Sequence, residues 1–299
     1  MTITPAFKGR GKIREDRGFN LFTVTLLALM TLIIAYPIWN LVVSSFSDAK
    51  YLALGGVTFY PKGFTLENYK AVFRDTSIWN AFGISVAKTG LGVVTHVLFT
   101  SMVAYGMSKK YLMGRKLYVA IGIVTMFFGG GMVPTYLLFR QMGLLNQFSV
   151  YILPQLFSYF DMIILMNFFR DIPASLEESA TIDGAGTWQV FGRIILPLSM
   201  PVLATIALFN GVYQWNDYMT AKMFVSNSDL HPVQMKLYEI VVQSQTTLMS
   251  NPSAGAVLPT TTRSIQLATI VVTALPIVLV YPFLQKYFVK GITLGAVKE

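Results

Sequence analysis

Apolar positions along this chain fall into long runs separated by short polar segments. The runs are approximately Phe22–Val43, Ala81–Met107, Leu117–Phe139, Phe148–Phe168, Leu198–Gln214 and Ile265–Phe288. Each approaches or exceeds the roughly 20 residues that a helix needs to cross a bilayer. The pattern therefore predicts an all-α integral membrane protein of about six spans, because a helix satisfies its own backbone in lipid. The third run is interrupted by Gly129-Gly130-Gly131 and Pro134. Such a break is tolerated where backbone lines a cavity, or where small residues allow close helix packing.

Composition supports this class. Of the 299 residues, 54% are hydrophobic and 12% are charged. A soluble domain is about one quarter charged, so these charges cannot cover a soluble surface. The formal net charge is +9. Lys8, Arg10, Lys12, Arg14 and Arg17 precede the first span like the n-region of a leader. The apolar core behind them is too long for a leader, and no small-x-small cleavage site follows promptly, so a retained span is expected. Lys109, Lys110, Arg115, Lys116, Arg170, Arg193, Lys286, Lys290 and Lys298 all fall on the same side as this cluster if the spans alternate. The Lys and Arg bias thus predicts cytoplasmic N- and C-termini. No basic run interleaved with aromatics suggests a nucleic-acid groove. The absence of cysteine excludes disulfides and thiolate chemistry.

The organisation expected is a cytoplasmic segment 1–20, one six-span domain 21–290 and a cytoplasmic tail 291–299. Two long outer loops, Ser44–Asn80 and Trp215–Ser264, are rich in Gly, Pro, Asn and Thr and suit small caps over the outer mouth. No internal repeat stands out.

The polar segment 170–197 is predicted on the cytoplasmic side, between spans four and five. It contains EESATIDGAGTWQVFGRIILPLSMP, Glu177 to Pro201, and reads as two short helices. Pro173 suits a first helical turn. Ser175 and Glu178 have capping-box spacing. Leu176 and Ala180 share a face, and Gly184 is placed for a left-handed C-cap. Thr187 is expected to cap the second helix, with Trp188, Phe191, Ile194 and Ile195 as its apolar stripe. Glu177, Glu178 and Asp183 lie on or near the first helix with the small residues Ser179, Ala180 and Ala185. Such a helix can be approached closely, as a knob seated in a partner's groove. An amphipathic loop lying on the membrane surface fits the same residues.

The residues Glu178-Ser-Ala-Thr-Ile-Asp183-Gly184-Ala185, with Phe191, Ile194, Leu196-Pro197 and Pro201, resemble the EAA loop of bacterial ABC importer permeases. Ser179 replaces that pattern's first Ala. The C-terminal run Tyr281–Glu299, the segment Phe64–Tyr69 and Trp215-Asn216-Asp217 are similar to the carbohydrate branch, near the smaller maltose-permease subunit. The run Phe127–Tyr136 resembles a sub-branch handling larger or acidic saccharides, alginate among them.

The resemblance implies a type I ABC importer permease fold with cytoplasmic coupling helices in the bacterial inner membrane. It implies ATPase coupling through Glu177, Glu178, Ser179, Ala180, Asp183, Gly184 and Ala185. A second contact with the ATPase is implied at Gly295, Ala296, Val297 and Lys298. The implied partners are a homologous second permease subunit, two ATP-binding cassette subunits that bind ATP and Mg, and a periplasmic or extracellular solute-binding protein. The substrate is a saccharide moved by alternating access. The chain itself carries no cofactor, and it lacks the phosphate-binding G-x-x-x-x-G-K-[ST] sequence.

Candidate path residues are Lys88, Gly130, Asp161, Tyr213, Trp215, Asn216 and Asp217. A charge inside a span costs about 2.5–3.5 kcal/mol on insertion scales. Lys88 therefore faces the pathway or a partner carboxylate, or snorkels from its position near the span's start. Asp161 pairs with a base or faces water. Tyr213, Trp215, Asn216 and Asp217 combine an aromatic face with polar groups, as sugar sites do and as interfacial belts also do. His96 and His231 are too isolated for a metal site or triad, and His96 reads as a packed or hydrogen-bonded histidine.

A permease for another polar solute is the nearest alternative. A polytopic saccharide-modifying enzyme would need clustered carboxylates, which only 177–183 approximates. A secondary transporter would show repeated halves and a buried ionisable relay, and neither is found.

Overall fold

The computed structural model describes residues 17–250 and 262–296. All regular elements among them are helical. In chain order they are α1 (Arg17–Ser45), α2 (Ala49–Ala53), α3 (Glu67–Arg74), α4 (Thr76–Ser108), α5 (Arg115–Phe127), α6 (Met132–Gln141) and α7 (Tyr159–Asp171). There follow α8 (Ala174–Ile182), α9 (Thr187–Val190), α10 (Leu196–Leu198), α11 (Met200–Asn216), α12 (Met219–Phe224), α13 (Val233–Ser250) and α14 (Thr262–Ala296).

Three helices, α1, α4 and α14, are long and apolar enough to cross a bilayer unaided. Three further candidate spans are helix pairs bent at a short break, and the interruption at Gly129 to Gly131 is one of these breaks. Helices α5 and α6 meet at 114°, the 3-10 turns at Phe148–Gln155 meet α7 at 46°, and Thr187–Leu198 meets α11 at 79°. Counting each pair as one span gives up to six, the expected number. The causes are local. Gly131 adopts φ +84°, which a side chain would oppose. Ser158 opens α7 by accepting from the Asp161 amide at 3.2 Å. At the third break Pro201 has no amide to continue the ladder past Ser199.

The two long loops hold helices: α2 and α3 in the first, α12 and the longer α13 in the second. Helix α4 is the centre of the bundle. It packs against α7 and α11, while α14 packs on α1, α3, α11 and α13. Polarity is reversed relative to a soluble protein. On α4, Ser85, Lys88, His96, Thr100 and Ser101 are buried, while Val86, Leu91, Val94 and Leu98 are exposed. Outward apolar residues suit a bilayer or a partner span, where helix association depends on packing and hydrogen bonds rather than on apolar burial.

Two such contacts set the frame. His96 Nδ1 lies 2.7 Å from the Gln155 carbonyl and Nε2 lies 2.9 Å from Asp161 Oδ2, which ties α7 and its preceding turn to α4. Gly122 lies against Tyr159 so closely that a Cβ there would fall 1.8 Å from the ring. The Tyr159 hydroxyl donates to the Tyr118 and Val119 carbonyls at 3.2 and 3.1 Å, fixing α5 on α7.

Candidate functional site

The two ends of α4 hold the two candidate regions. A helix of this length spans about 50 Å. Near its start, Asn80 Nδ2 donates to the Asp229 carbonyl and Ser85 Oγ accepts from the Val233 amide. At its end, Tyr105 and Lys109 meet α8. The polar segment and the 215–250 loop therefore lie at opposite ends of the bundle.

Helix α8 starts after Pro173, whose side chain offers no cap, so Ser175 sits within the first turn. The capping box read from Ser175 and Glu178 does not form, because Pro173 is already the N-cap and the helix starts two residues earlier than Ser175 would start it. The C-terminal expectation is met. Gly184 has φ +84°. Its amide donates to the Thr181 carbonyl at 3.0 Å, and the Ala185 amide donates to Ala180 at 2.9 Å. This is a Schellman closure, completed by the apolar pair Ala180 and Ala185. Gly186, not Thr187, precedes α9, and its amide donates to Gln189 Oε1 at 3.0 Å. Val190, Phe191 and Ile195 are buried while Trp188 is exposed. The stripe thus turns away from Trp188, as the backbone widens to a π-helix at Phe191–Ile195.

The residues proposed for coupling divide between two faces. Glu177, Ala180 and Ala185 are partly buried and look into the bundle. Glu177 forms an ion pair with Lys109 and accepts from the Tyr105 hydroxyl at 3.2 Å. The Lys109 ammonium also lies 4.0 Å from the Tyr105 ring centroid. Burial lowers its proton affinity, but the bonds to Glu177 and Tyr105 outweigh that, so Lys109 sits above the ordinary lysine range. Glu178, Ser179, Asp183 and Gly184 are exposed. Beside them stand Ile182, 86% exposed, and Trp188, 70% exposed. A short rigid helix thus presents carboxylates around bare apolar side chains, the composition of a protein contact with a desolvated centre and a polar rim. Glu177 and Glu178 point apart and form no paired acid and base.

The opposite end gathers the path candidates. Lys88 is buried and pairs with Asp217: Nζ lies 2.7 Å from Oδ2 and 2.8 Å from the Asp217 carbonyl. The Tyr151 ring centroid is 4.8 Å from that ammonium. Asp217 also accepts from the Thr220 amide at 3.1 Å, starting α12. Asp161 is held by His96. Trp215 is buried, its indole donating to the Thr273 carbonyl at 3.1 Å across to α14. Tyr213 and Asn216 are exposed on α11. The Tyr213 hydroxyl accepts from Gln155 at 3.3 Å, and Asn216 Oδ1 accepts from Gln234 at 3.4 Å. Gly130 is exposed in the break between α5 and α6. Structure therefore joins Lys88 with Asp217, and leaves Tyr213 and Asn216 as open surface.

Of the tail residues, Gly295 and Ala296 end α14, while Val297 and Lys298 lie outside the described residues, as does the basic cluster Lys8 to Arg14. Sequence reasoning missed Tyr105 and Lys109 as the anchor of α8, and Ile182 and Trp188 as its exposed apolar pair. Spacing carried a partial signal, since Glu178 and Ile182 are four apart and share a face.

The site is thus a polar helical loop between apolar helices, closed by a glycine cap and held to the end of a central helix. Residues 12–294 match the family model described as "binding-protein-dependent transport system inner membrane component", and the chain belongs to that family. It is 38% identical over 284 residues to the polygalacturonan/rhamnogalacturonan transport system permease protein YtcP of Bacillus subtilis, covering 95% of this chain and 99% of that protein. It is 29% identical to the arabinooligosaccharides transport system permease protein AraQ of Halalkalibacterium halodurans, covering 91% and 94%. Among solved structures, it resembles a chain of a bacterial ABC transporter involved in the import of the acidic polysaccharide alginate. The TM-score is 0.83 at 31% identity, over 94% of this chain and 100% of that one. The fold is thus the all-α ABC permease fold expected.

Proposed function

We propose that this chain is a permease subunit of an ATP-driven saccharide importer, with oligo- or polysaccharides, acidic ones such as alginate included, as its substrate class. The observation that carries the reading is the outward face of α8. Glu178, Asp183, Ile182 and Trp188 stand clear of the bundle on a helix that Lys109 and Tyr105 hold firmly from behind. Such a knob transmits force because its base does not yield. Closure of two ATP-binding cassette subunits, which bind ATP and Mg, moves the knob. The Tyr105–Glu177–Lys109 contact then passes that motion to α4.

The chain pairs with a homologous second permease to enclose the pathway. A solute-binding protein docks on the α2–α3 and α12–α13 side, which is the outer face when both termini are cytoplasmic in a bacterial inner membrane. Tyr213 and Asn216, exposed on α11, supply an aromatic face and an amide for sugar. The acidic-saccharide preference draws on the relatives named above.

The test is to purify the chain with the products of its neighbouring genes and measure ATPase activity with loaded and empty binding protein. Loaded protein is expected to stimulate hydrolysis, and Glu178→Lys to abolish stimulation at unchanged assembly. Failure of any ATPase subunit to co-purify overturns the reading. Oligogalacturonate, alginate and arabino-oligosaccharides as the loading sugars separate the substrate classes.

A further inference from the structure

A groove of about 840 Å³ opens at the α8 end of the bundle, where the α4–α5 turn, α5 and α7 meet. Lys110, Arg115, Lys116 and Arg170 line it, and no carboxylate does. Among the described residues none of these cations forms an ion pair. Glu177, at this end of α4, is already taken by Lys109. Among the described residues the Arg170 guanidinium donates to the soft sulfur of Met166, at 2.9 Å.

The rest of the lining is apolar and follows α5 away from the charges. Leu117 and Ile123 on that wall are exposed. Ile123 lies about 10 Å along the helix from Lys116. A site with cations at its end and an apolar wall running into the membrane matches an amphiphile with an anionic head. A free phosphate would have no use for the wall. A soluble protein surface would match the charges but leave the wall bare.

We propose that this groove binds one anionic phospholipid from the leaflet on the α8 side. Arg115, Lys116, Lys110 and Arg170 hold its phosphate, and an acyl chain lies along Leu117 and Ile123. Guanidinium groups suit this because they grip phosphate oxygens in pairs and are weakly hydrated. Basic pockets between spans are known lipid-headgroup sites on the cytoplasmic side. The lipid bridges α5 to the end of α7, two residues before α8, and so stiffens the base of the proposed coupling knob.

The test uses the full chain, purified in detergent with its partner subunits. Native mass spectrometry reads lipid retained on the permease chain itself, so the result does not depend on the transport assignment. Phosphatidylglycerol and phosphatidylcholine with identical acyl chains are the probes. Phosphatidylglycerol is expected to be retained at least tenfold better. The Arg115→Gln, Lys116→Gln, Arg170→Gln triple variant should lose that advantage with an unchanged melting temperature, and the exposed single change Lys116→Gln should lower it several-fold. Leu117→Ser with Ile123→Asn, which keeps every cation, should also lose the lipid. Equal retention of the two lipids, or full retention by the triple variant, overturns the proposal. Displacement by millimolar inorganic phosphate, with phosphate bound equally well by the wall variant, assigns a free-anion site instead. Loss of the ATPase subunits from the triple variant assigns a protein contact instead.

Discussion

Removing one partner of the Lys88–Asp217 pair should destabilise the protein severely, and removing both should not. The Lys88 side chain is 1% exposed and Asp217 9% exposed, with 2.7 Å between the charged atoms. At an effective dielectric of about 20, that separation gives a Coulomb attraction of roughly 6 kcal/mol. Desolvation of both groups offsets most of it. What remains visible on single substitution is an uncompensated buried charge, which costs about 3–5 kcal/mol. Asp217→Asn keeps the shape and the backbone carbonyl that Lys88 also uses, so the cost belongs at about 3 kcal/mol, or roughly a hundredfold in the folding equilibrium. The assay is reversible unfolding of the purified chain in mixed micelles, run as a double-mutant cycle. Lys88→Met combined with Asp217→Asn should recover more than half of the loss, since no charge is then stranded. If Asp217→Asn alone costs less than about 0.5 kcal/mol, within the range of an exposed pair, the ammonium is hydrated or paired elsewhere and the reasoning fails.

Other outcomes follow from the same geometry. Gly122→Val should push Tyr159 off α5 and lower stability by about 1–3 kcal/mol through overpacking. The companion change Tyr159→Leu should restore part of it, read by melting temperature. Gly184→Ala should cost about 1–2 kcal/mol, the strain of a left-handed residue with a Cβ, and should show as faster proteolysis between α8 and α9 with the remaining spans intact. Lys109→Met should release α8 and reduce ATPase stimulation while leaving assembly in place; full stimulation in that variant would remove the anchor from the mechanism. The anchor also has a pH signature. Because Lys109 is raised above the ordinary lysine value of 10.5, its contribution is complete below that value and is lost only as pH rises through the higher folded one. Protease protection of α8 should therefore be flat from about pH 6 to 9 and fall only above about 10.5.

Much of this molecule was legible along the chain because a bilayer imposes a one-dimensional rule. Any segment that crosses it must be apolar, helical and about 20 residues long. The spans read from hydropathy coincide with the helical regions from Phe22 to Phe288, including the break at Gly129 to Gly131. The glycine cap at Gly184 was also readable, because it depends on a local dihedral that only one residue type adopts freely. The start of α8, the cap of α9 and the direction of the apolar stripe were misread. Those depend on where Pro173 and the π-turn set the helical phase, and a phase error of one residue rotates a helix face by about 100°.

What the sequence by itself determined was the helical membrane class and the position of the polar helical segment between apolar runs, since each depends on residues adjacent in the chain. What only the tertiary structure decided was pairing. Lys88 found Asp217, 129 positions away, His96 found Asp161, and Lys109 found Glu177, leaving Glu178 free to face outward. Which of two neighbouring carboxylates becomes an anchor and which becomes a contact is set by the approach of another helix. That approach is governed by small residues, bent spans and buried polar bonds acting at a distance that no local pattern records.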